Sequence, residues 1–274
     1  MILLVASNKD AASLNIKEQI LSHYPFRKMA KVYQHCQVYA ADINGKTLNL
    51  VTLKDELVKA QDLPKKFPTA KLIVFISRHS SQSGKPTLSV HVPGNFGDAE
   101  LGGLPRKLSF SPAYAMQNAL KALTYYKEKL NLKYEVSFEC THHGPSLDVP
   151  SMFVELGSSP EQWNDLKAAE AVAHSAIYAV ANFIAPTSPV VLGIGGPHYN
   201  QRFTIMALVG EFAFGHIIPK YATHLVDDVM LSQCVEKNLE KVQLAVLDWK
   251  GIKSEDKPNL LSTLETMGLP FKKV

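Results

Sequence analysis

The chain has 274 residues, 46% hydrophobic and 20% charged, the make-up of a folded globular enzyme and not of a disordered or fibrous chain. No apolar run approaches the roughly 18 residues that a membrane span needs, and 29 Lys and Arg against 25 Asp and Glu permit a polyanionic partner without requiring one. The three cysteines, Cys36, Cys140 and Cys234, are too few and too dispersed for a zinc ribbon or a disulfide framework.

Apolar runs alternate with longer amphipathic segments, the pattern of a layered α/β fold. The opening Met1-Ile2-Leu3-Leu4-Val5-Ala6 has no basic n-region and is too short for a signal peptide. Ile2 to Ala6 therefore reads as a first buried strand, and the protein as cytoplasmic. Ser7, Asn8 and Asp10 offer caps for a helix through about Ser22. Gln37 to Ile43 and Leu48 to Leu53 flank Asn44-Gly45, a two-residue hairpin signal. Leu72 to Ser77 is a continuous apolar run, as in a strand buried on both faces, and Leu88 to Val92 is a further strand. Ser111-Pro112 opens a helix to about Leu130, with proline in its first turn. Tyr134 to Cys140 reads as a strand. Ser159-Pro160 then starts the longest helix, to about Ile184, and Pro189 to Ile194 and Val242 to Leu247 read as strands. Leu260 to Met267 is a short last helix. With no repeat, low-complexity tract or linker, residues 1–274 read as one α/β domain with a glycine- and proline-rich, irregular insertion at about 93–110.

Three segments depart from core logic in the same way, each an apolar strand running into a polar loop that holds histidine. They are Phe75-Ile76-Ser77-Arg78-His79-Ser80-Ser81, Phe138-Glu139-Cys140-Thr141-His142-His143-Gly144-Pro145 and Gly193-Ile194-Gly195-Gly196-Pro197-His198-Tyr199-Asn200. Ligands of parallel α/β sheets gather outside the carboxyl ends of the strands, so three such ends predict one shared pocket. Imidazole is the commonest general base near neutral pH and the commonest metal ligand. Adjacent histidines in a strand point to opposite faces; the Gly144-Pro145 turn lets His142 and His143 converge. Glu139, three residues before the pair, suits a ligand or an orienting group. Glu155, inside apolar Phe153-Val154-Glu155-Leu156, must be paired or functional if buried.

Plainer readings compete. Each loop histidine alone is compatible with solvated surface, His174 sits on an alanine-rich helix as a packed histidine would, and His23 and His35 lie in polar surroundings. Cys140 reads as an inert strand cysteine. Gly193-Ile194-Gly195-Gly196-Pro197-His198 places histidine where a dinucleotide motif needs glycine, and Ser83-Gly84-Lys85-Pro86 lacks the features of a Walker loop.

Taken together, "SRHSS", "LSVHVPGN", "THHGPS" with "FVELGS", "GIGGPHYNQRFT" and "FGHIIPKYA" resemble the archaeal and plant type of D-aminoacyl-tRNA deacylase over about residues 75 to 222. The resemblance implies a three-layer α/β/α sandwich around a mixed, largely parallel sheet, similar to peptidyl-tRNA hydrolases and nucleoside phosphorylases. It implies an ester hydrolase that releases free D-amino acid and tRNA, tolerates many side chains and depends on zinc. His79, His91, His142, His143, His198 and His216 carry over as its metal-site histidines, without separating ligands from bases. The catalytic candidates are His142, His143, His198, Glu139 and Glu155. The partner implied is tRNA carrying a D-amino acid, with no protein partner and no membrane.

Such a hydrolysis needs an activated water and donors for a tetrahedral oxyanion. The amides of Gly195, Gly196 and Gly144 are candidate donors, and Asn8 offers a metal-free way to position water. Arg78, Lys85, Arg106, Lys107, Arg202 and Lys220 are candidate phosphate contacts, and Tyr199 a stacking partner for the terminal adenine. The alternatives are a peptidyl-tRNA hydrolase-like enzyme and a non-catalytic tRNA-binding protein.

Overall fold

The computed structural model describes residues 1–186 and 188–274. Strand β1 (Ile2–Ser7) is buried along its whole length. Helix α1 (Ala11–His23) follows, capped by Asp10, whose Oδ1 accepts the Ser13 amide at 2.9 Å. Three strands then meander: β2 (Arg27–Tyr33), β3 (Cys36–Ile43) and β4 (Lys46–Leu53). Asn44 and Gly45 turn between the last two with φ of +50° and +71°, the left-handed pair that a two-residue hairpin demands, and Ile43 faces Lys46. β2 is an exposed edge carrying Arg27, Lys28 and Lys31, charges that discourage pairing with another chain.

A 3-10 turn (Leu57–Lys59) and a short helix α2 (Leu63–Lys66) lead to β5 (Leu72–Arg78) and β6 (Thr87–His91). Helix α3 (Ala113–Lys129), β7 (Glu135–Phe138), β8 (Ser151–Gly157), α4 (Pro160–Trp163) and α5 (Leu166–Ala181) complete the larger part. The helix expected from Ser159 to Ile184 is thus two helices. The Asp165 carboxylate accepts the Lys167 and Ala168 amides and starts α5 afresh, which leaves α3 the longer of the two. The remaining elements are β9 (Val190–Ile194), α6 (Gln201–Leu208), β10 (Ala213–Ile218), a 3-10 turn (Lys220–Leu225), α7 (Asp228–Glu236), β11 (Leu244–Leu247), α8 (Lys257–Thr266) and β12 (Phe271–Lys273).

The strands form a mixed sheet in the order β2-β3-β4-β1-β5-β8-β6-β7 and a smaller sheet in the order β10-β9-β11-β12. The α/β class and the mixed, largely parallel main sheet are as expected; the smaller, wholly parallel sheet was not foreseen. One face of the main sheet packs on α1, α3 and α5, whose alanines allow close approach. Burying Val172, Ile177 and Val180 of α5 contributes roughly 1.5–3 kcal/mol each. The opposite face holds Leu57, Leu63, Phe67 and Leu147. The same core reaches Val191, Phe214 and Val246 of the smaller sheet, so the two sheets share packing. Among the described residues, 93–110 contain only isolated bridges, Pro93 to His142, Gly94 to Leu108 and Phe110 to Pro150. Among those residues no helix is long and apolar enough to cross a membrane.

Candidate active site

Sheet register places the site. β5 runs parallel to β8 with Ser77 opposite Glu155, and β6 runs antiparallel to β8 with His91 opposite Phe153. Asp10 also accepts the Arg78 amide on Oδ2 at 2.8 Å, tying the ends of β1 and β5 together. Beyond β7 the chain is stitched to the loop after β9. The Cys140 amide donates to the His198 carbonyl at 2.9 Å, and Glu139 bridges to Tyr199. That stitch carries His198, from the smaller sheet, onto the main sheet. His143 adopts φ +39°, which breaks strand alternation and brings the His142 and His143 ring centroids to 4.2 Å. A Cβ on Gly144 would stand 2.2 Å from the Gly103 nitrogen, so this close approach of two backbones requires glycine.

A cavity of about 560 Å³ opens among these ends. His79, Glu139, His142, His143, Glu155 and His198 line it, with Phe153 and Tyr199. His91 lies behind them, fully buried, stacked on Phe153 at 4.9 Å and 4.2 Å from the His142 ring.

Two buried carboxylates organise the charge. His79 Nδ1 stands 3.2 Å from Glu139 Oε1 and 3.5 Å from Glu155 Oε2. Burial works against a charge on His79, but the two carboxylates overcome it and push the pKa up to about 11. His79 is then an imidazolium whose Nε2–H donates to the Tyr199 hydroxyl at 2.7 Å. Glu155 also accepts the Ser77 hydroxyl at 2.5 Å and lies 3.6 Å from His91 Nε2. Burial would raise Glu155, yet His79 and His91 hold it at about 2; Glu139 is likewise held well below the usual range, burial being outweighed by His198 and His79.

His142 and His143 behave differently. Their Nδ1 atoms lie 2.8 Å from the Cys140 carbonyl and 2.7 Å from the Gly144 carbonyl. A carbonyl only accepts, so both Nδ1 atoms carry hydrogen and both Nε2 atoms keep a lone pair. Burial holds His142 well below its ordinary value and His143 down to about 4, with His91 adding to both. Two neutral imidazoles thus face the cavity. His198 contacts Glu139 Oε2 through Nε2 at 2.9 Å and the Tyr221 hydroxyl through Nδ1 at 3.0 Å.

Three sets of ligand atoms here lie within 4.8 Å of one another: His91, His142 and His143; Glu139, His142 and His198; and His79, Glu139 and Glu155. His91 Nε2 and Glu139 Oε1 are buried and make no hydrogen bond among the described residues, only the longer ion-pair contacts to Glu155 and His79 respectively. Unsatisfied donor atoms beside open imidazole nitrogens suit a divalent cation of the zinc class.

The structure gathers His79, His91, His142, His143, His198, Glu139 and Glu155. It does not bring His216 to them. That ring is fully buried, its Nε2 3.0 Å from the Lys237 carbonyl and its Nδ1 3.2 Å from the Thr141 hydroxyl, so it reads as a satisfied packing histidine. Burial holds it at about 4. The unfolded chain protonates it near 6.5, so it favours unfolding progressively as pH falls from 6.5 to 4, by up to about 3 kcal/mol. Urea titrations of wild type and His216→Gln at pH 4.5 and 7 are expected to show a smaller acid loss for the variant.

Three proposed oxyanion donors are already spent on backbone carbonyls: Gly195 to Ile218, Gly196 to Gly251 and Gly144 to Leu101. Asn8 points its amide at Cys36 Sγ, 3.3 Å away, and is absent from the cavity wall. Arg78 lines the cavity, its guanidinium 5.2 Å from the Trp163 ring. Arg106, Lys107 and Arg202 are ion-paired to Asp227, Asp148 and Asp248 outside it. Lys85 and Lys220 are exposed, also off the described cavity wall. Tyr199 is there, but held by His79. Sequence reasoning passed over Ser77, Phe153 and Tyr221. Tyr221 lay within "FGHIIPKYA", and Ser77 two residues before His79; no periodicity marks either.

A family model described as D-aminoacyl-tRNA deacylase matches residues 66–272. Relatives with that name come from Thermococcus onnurineus, 35% identical over 99% of both chains, and from Pyrococcus horikoshii, 37% identical over 100% of both. A crystal structure described as a conserved protein of unknown function superposes with a TM-score of 0.89 at 32% identity, over 100% of this chain and 95% of that one. A purine nucleoside phosphorylase from Toxoplasma gondii shows a fainter likeness, TM-score 0.44 and 11% identity over 66% of this chain and 90% of its own. With the model spanning most of its length and relatives matching nearly all of it, the chain belongs to the D-aminoacyl-tRNA deacylase family.

Proposed function

We propose that the protein hydrolyses the ester between a D-amino acid and the terminal ribose of tRNA, releasing free D-amino acid and tRNA in the cytoplasm. The observation that carries this reading is the convergence of five histidines and two buried carboxylates around one cavity, in a member of this family. A volume of about 560 Å³ is in the range of small-ligand pockets and exceeds any one aminoacyl group, which supports broad side-chain tolerance.

His91, His142 and His143 are the residues that would hold a zinc ion, with Glu139 beside them. When bound, zinc supplies Lewis acidity and lowers the pKa of a water to about 7. The other groups have separate tasks. Glu139 orients His198 through Nε2; Nδ1, which receives the Tyr221 hydroxyl in the resting site, accepts the proton of the attacking water once that hydroxyl turns aside. Attack on the ester carbonyl forms a tetrahedral oxyanion, and collapse breaks the bond to the ribose oxygen. Tyr199, accepting a hydrogen bond from the His79 imidazolium, is the stronger donor for it; its hydroxyl stabilises the oxyanion and then protonates the ribose oxygen. Arg78, at the cavity wall, faces the phosphates of the acceptor end.

The test is release of labelled D-tyrosine from D-tyrosyl-tRNA, with L-tyrosyl-tRNA and N-acetylated tyrosyl-tRNA as rivals, before and after chelation. Release from the D-ester alone, lost on chelation and restored by zinc, is the expected result. No release with zinc present overturns the activity; release that ignores the chelator overturns the zinc assignment; preference for the N-acetylated ester favours a peptidyl-tRNA hydrolase.

A further inference from the structure

The last turn of α1 meets α5 and α3 at a second histidine cluster, which takes no part in the cavity. Asp10, at the start of α1, lines the cavity. His23 ends the same helix, about 20 Å away at 1.5 Å per residue. There His23 and His174 face each other with ring centroids 5.0 Å apart. Their Nε2 atoms lie 3.8 and 3.6 Å from a single oxygen, Glu170 Oε1. Glu170 and His174 are one turn apart on α5, the spacing that puts two side chains on the same helix face.

The surroundings select the ligating tautomers. His23 Nδ1 is 3.0 Å from the Gln19 carbonyl and 2.9 Å from the Ser22 hydroxyl, which itself donates to that carbonyl; both oxygens then accept, the hydrogen sits on Nδ1 and Nε2 keeps its lone pair. His174 Nδ1 pairs with the Tyr24 hydroxyl at 2.7 Å, which can accept the hydrogen and free Nε2 in the same way. Tyr126 of α3 stacks on His174 at 4.5 Å and 16°, fixing the ring plane. A hydrogen-bonded far nitrogen and a fixed ring are the outer supports that metal-bound histidines have.

We propose that His23, Glu170 and His174 form a peripheral site for a zinc-class divalent cation, distinct from the cavity. In a tetrahedral site with bonds near 2.0–2.1 Å the ligand atoms stand about 3.3 Å apart, so the two separations from Glu170 close by a few tenths of an ångström, and the imidazole nitrogens, which lie within 4.8 Å of each other, draw in with them. His23 and Glu170, with side chains 38% and 27% exposed, have the freedom to make that movement. The fourth position faces solvent and takes a water. The site clamps α1 to α5 and does not act on substrate.

The experiment is a zinc titration of the metal-stripped, full-length protein against a chromophoric chelator. It uses wild type, His23→Gln/Glu170→Gln, His23→Ala and a His142→Ala/His143→Ala background. The double glutamine variant is expected to lose one zinc equivalent, or to weaken it by more than about tenfold, in wild-type and cavity-variant backgrounds alike. His23→Ala, an exposed change, should weaken the same equivalent with an unaltered circular dichroism spectrum. Deacylation should stay within about twofold of wild type, since none of these residues touches the cavity. Unchanged stoichiometry and affinity in the glutamine variant overturn the proposal. If the cavity takes no zinc, wild type still binds this one equivalent, so failure there and failure here read differently.

Discussion

Glu139→Gln is expected to lower kcat for D-aminoacyl-tRNA hydrolysis on the order of a thousandfold, with KM changed by less than about threefold. The amide keeps the volume of the carboxylate but removes its charge. Among the described residues, Glu139 is the one acid within ion-pair distance of three cavity histidines: His79 at 3.2 Å, His142 at 3.6 Å and His198 at 2.9 Å. Without it His198 loses the partner that fixes its tautomer, and His79 loses half the charge that keeps it an imidazolium. Both effects fall on groups that act on the reacting bond, not on those that hold the tRNA, which is why kcat carries the loss. Tyr221→Phe, which removes only the hydroxyl at His198 Nδ1, should cost less than about tenfold. Single-turnover rates with D-tyrosyl-tRNA check both; a rate for Glu139→Gln within tenfold of wild type would remove Glu139 from the mechanism.

Glu155→Ala is expected to destabilise the chelated protein by about 3–5 kcal/mol. The substitution strands three buried groups at once, His79, His91 and the Ser77 hydroxyl, and an uncompensated buried charge costs more than the ion pair ever contributed. Ser77→Ala, which removes one hydrogen bond to the same carboxylate, should cost about 1–2 kcal/mol. The pH dependence has a definite sign. Glu155 is held at about 2 against 4.5 in the unfolded chain, so its contribution is complete above pH 4.5 and is lost as pH falls through about 2. His79 is held at about 11 against 6.5, so its contribution is complete below pH 6.5 and is lost as pH rises through about 11. The gap between wild type and Glu155→Ala should therefore be widest between pH 4.5 and 6.5 and narrow on either side. Denaturant titrations at pH 3, 5.5 and 9 measure it, and a gap independent of pH would show that Glu155 acts through packing alone.

Much of this site was legible before any coordinates. Glycine, proline and histidine at the ends of apolar runs are local signals, and they pointed to His79, the His142-His143 pair and His198. Asn44-Gly45 specified its hairpin because few residue pairs accept two positive φ values. What stayed hidden depends on contacts distant in sequence. Ser77 meets Glu155 because β5 and β8 share a register, and a serine two residues before a histidine has no mark of its own. The glycine amides looked free for an oxyanion, yet Gly195, Gly196 and Gly144 each reach a carbonyl on another element. His216 shared the motif pattern of the other histidines, but its nitrogens turn to Thr141 and Lys237. The break between α4 and α5 escaped because the apolar pattern runs on through Asn164 and Asp165; the Asp165 cap decides it.

His198 rides on β9 while its partner Glu139 follows β7, and those strands belong to different hydrogen-bonded sheets. The Phe138, Phe203 and Phe214 rings packed between them thereby become part of the chemistry at one remove. Any change that slides one sheet past the other by an ångström alters the carboxylate–imidazole distance directly, while leaving every strand intact. The site is accordingly sensitive at two places, the polar groups and the aromatic seam that sets their spacing.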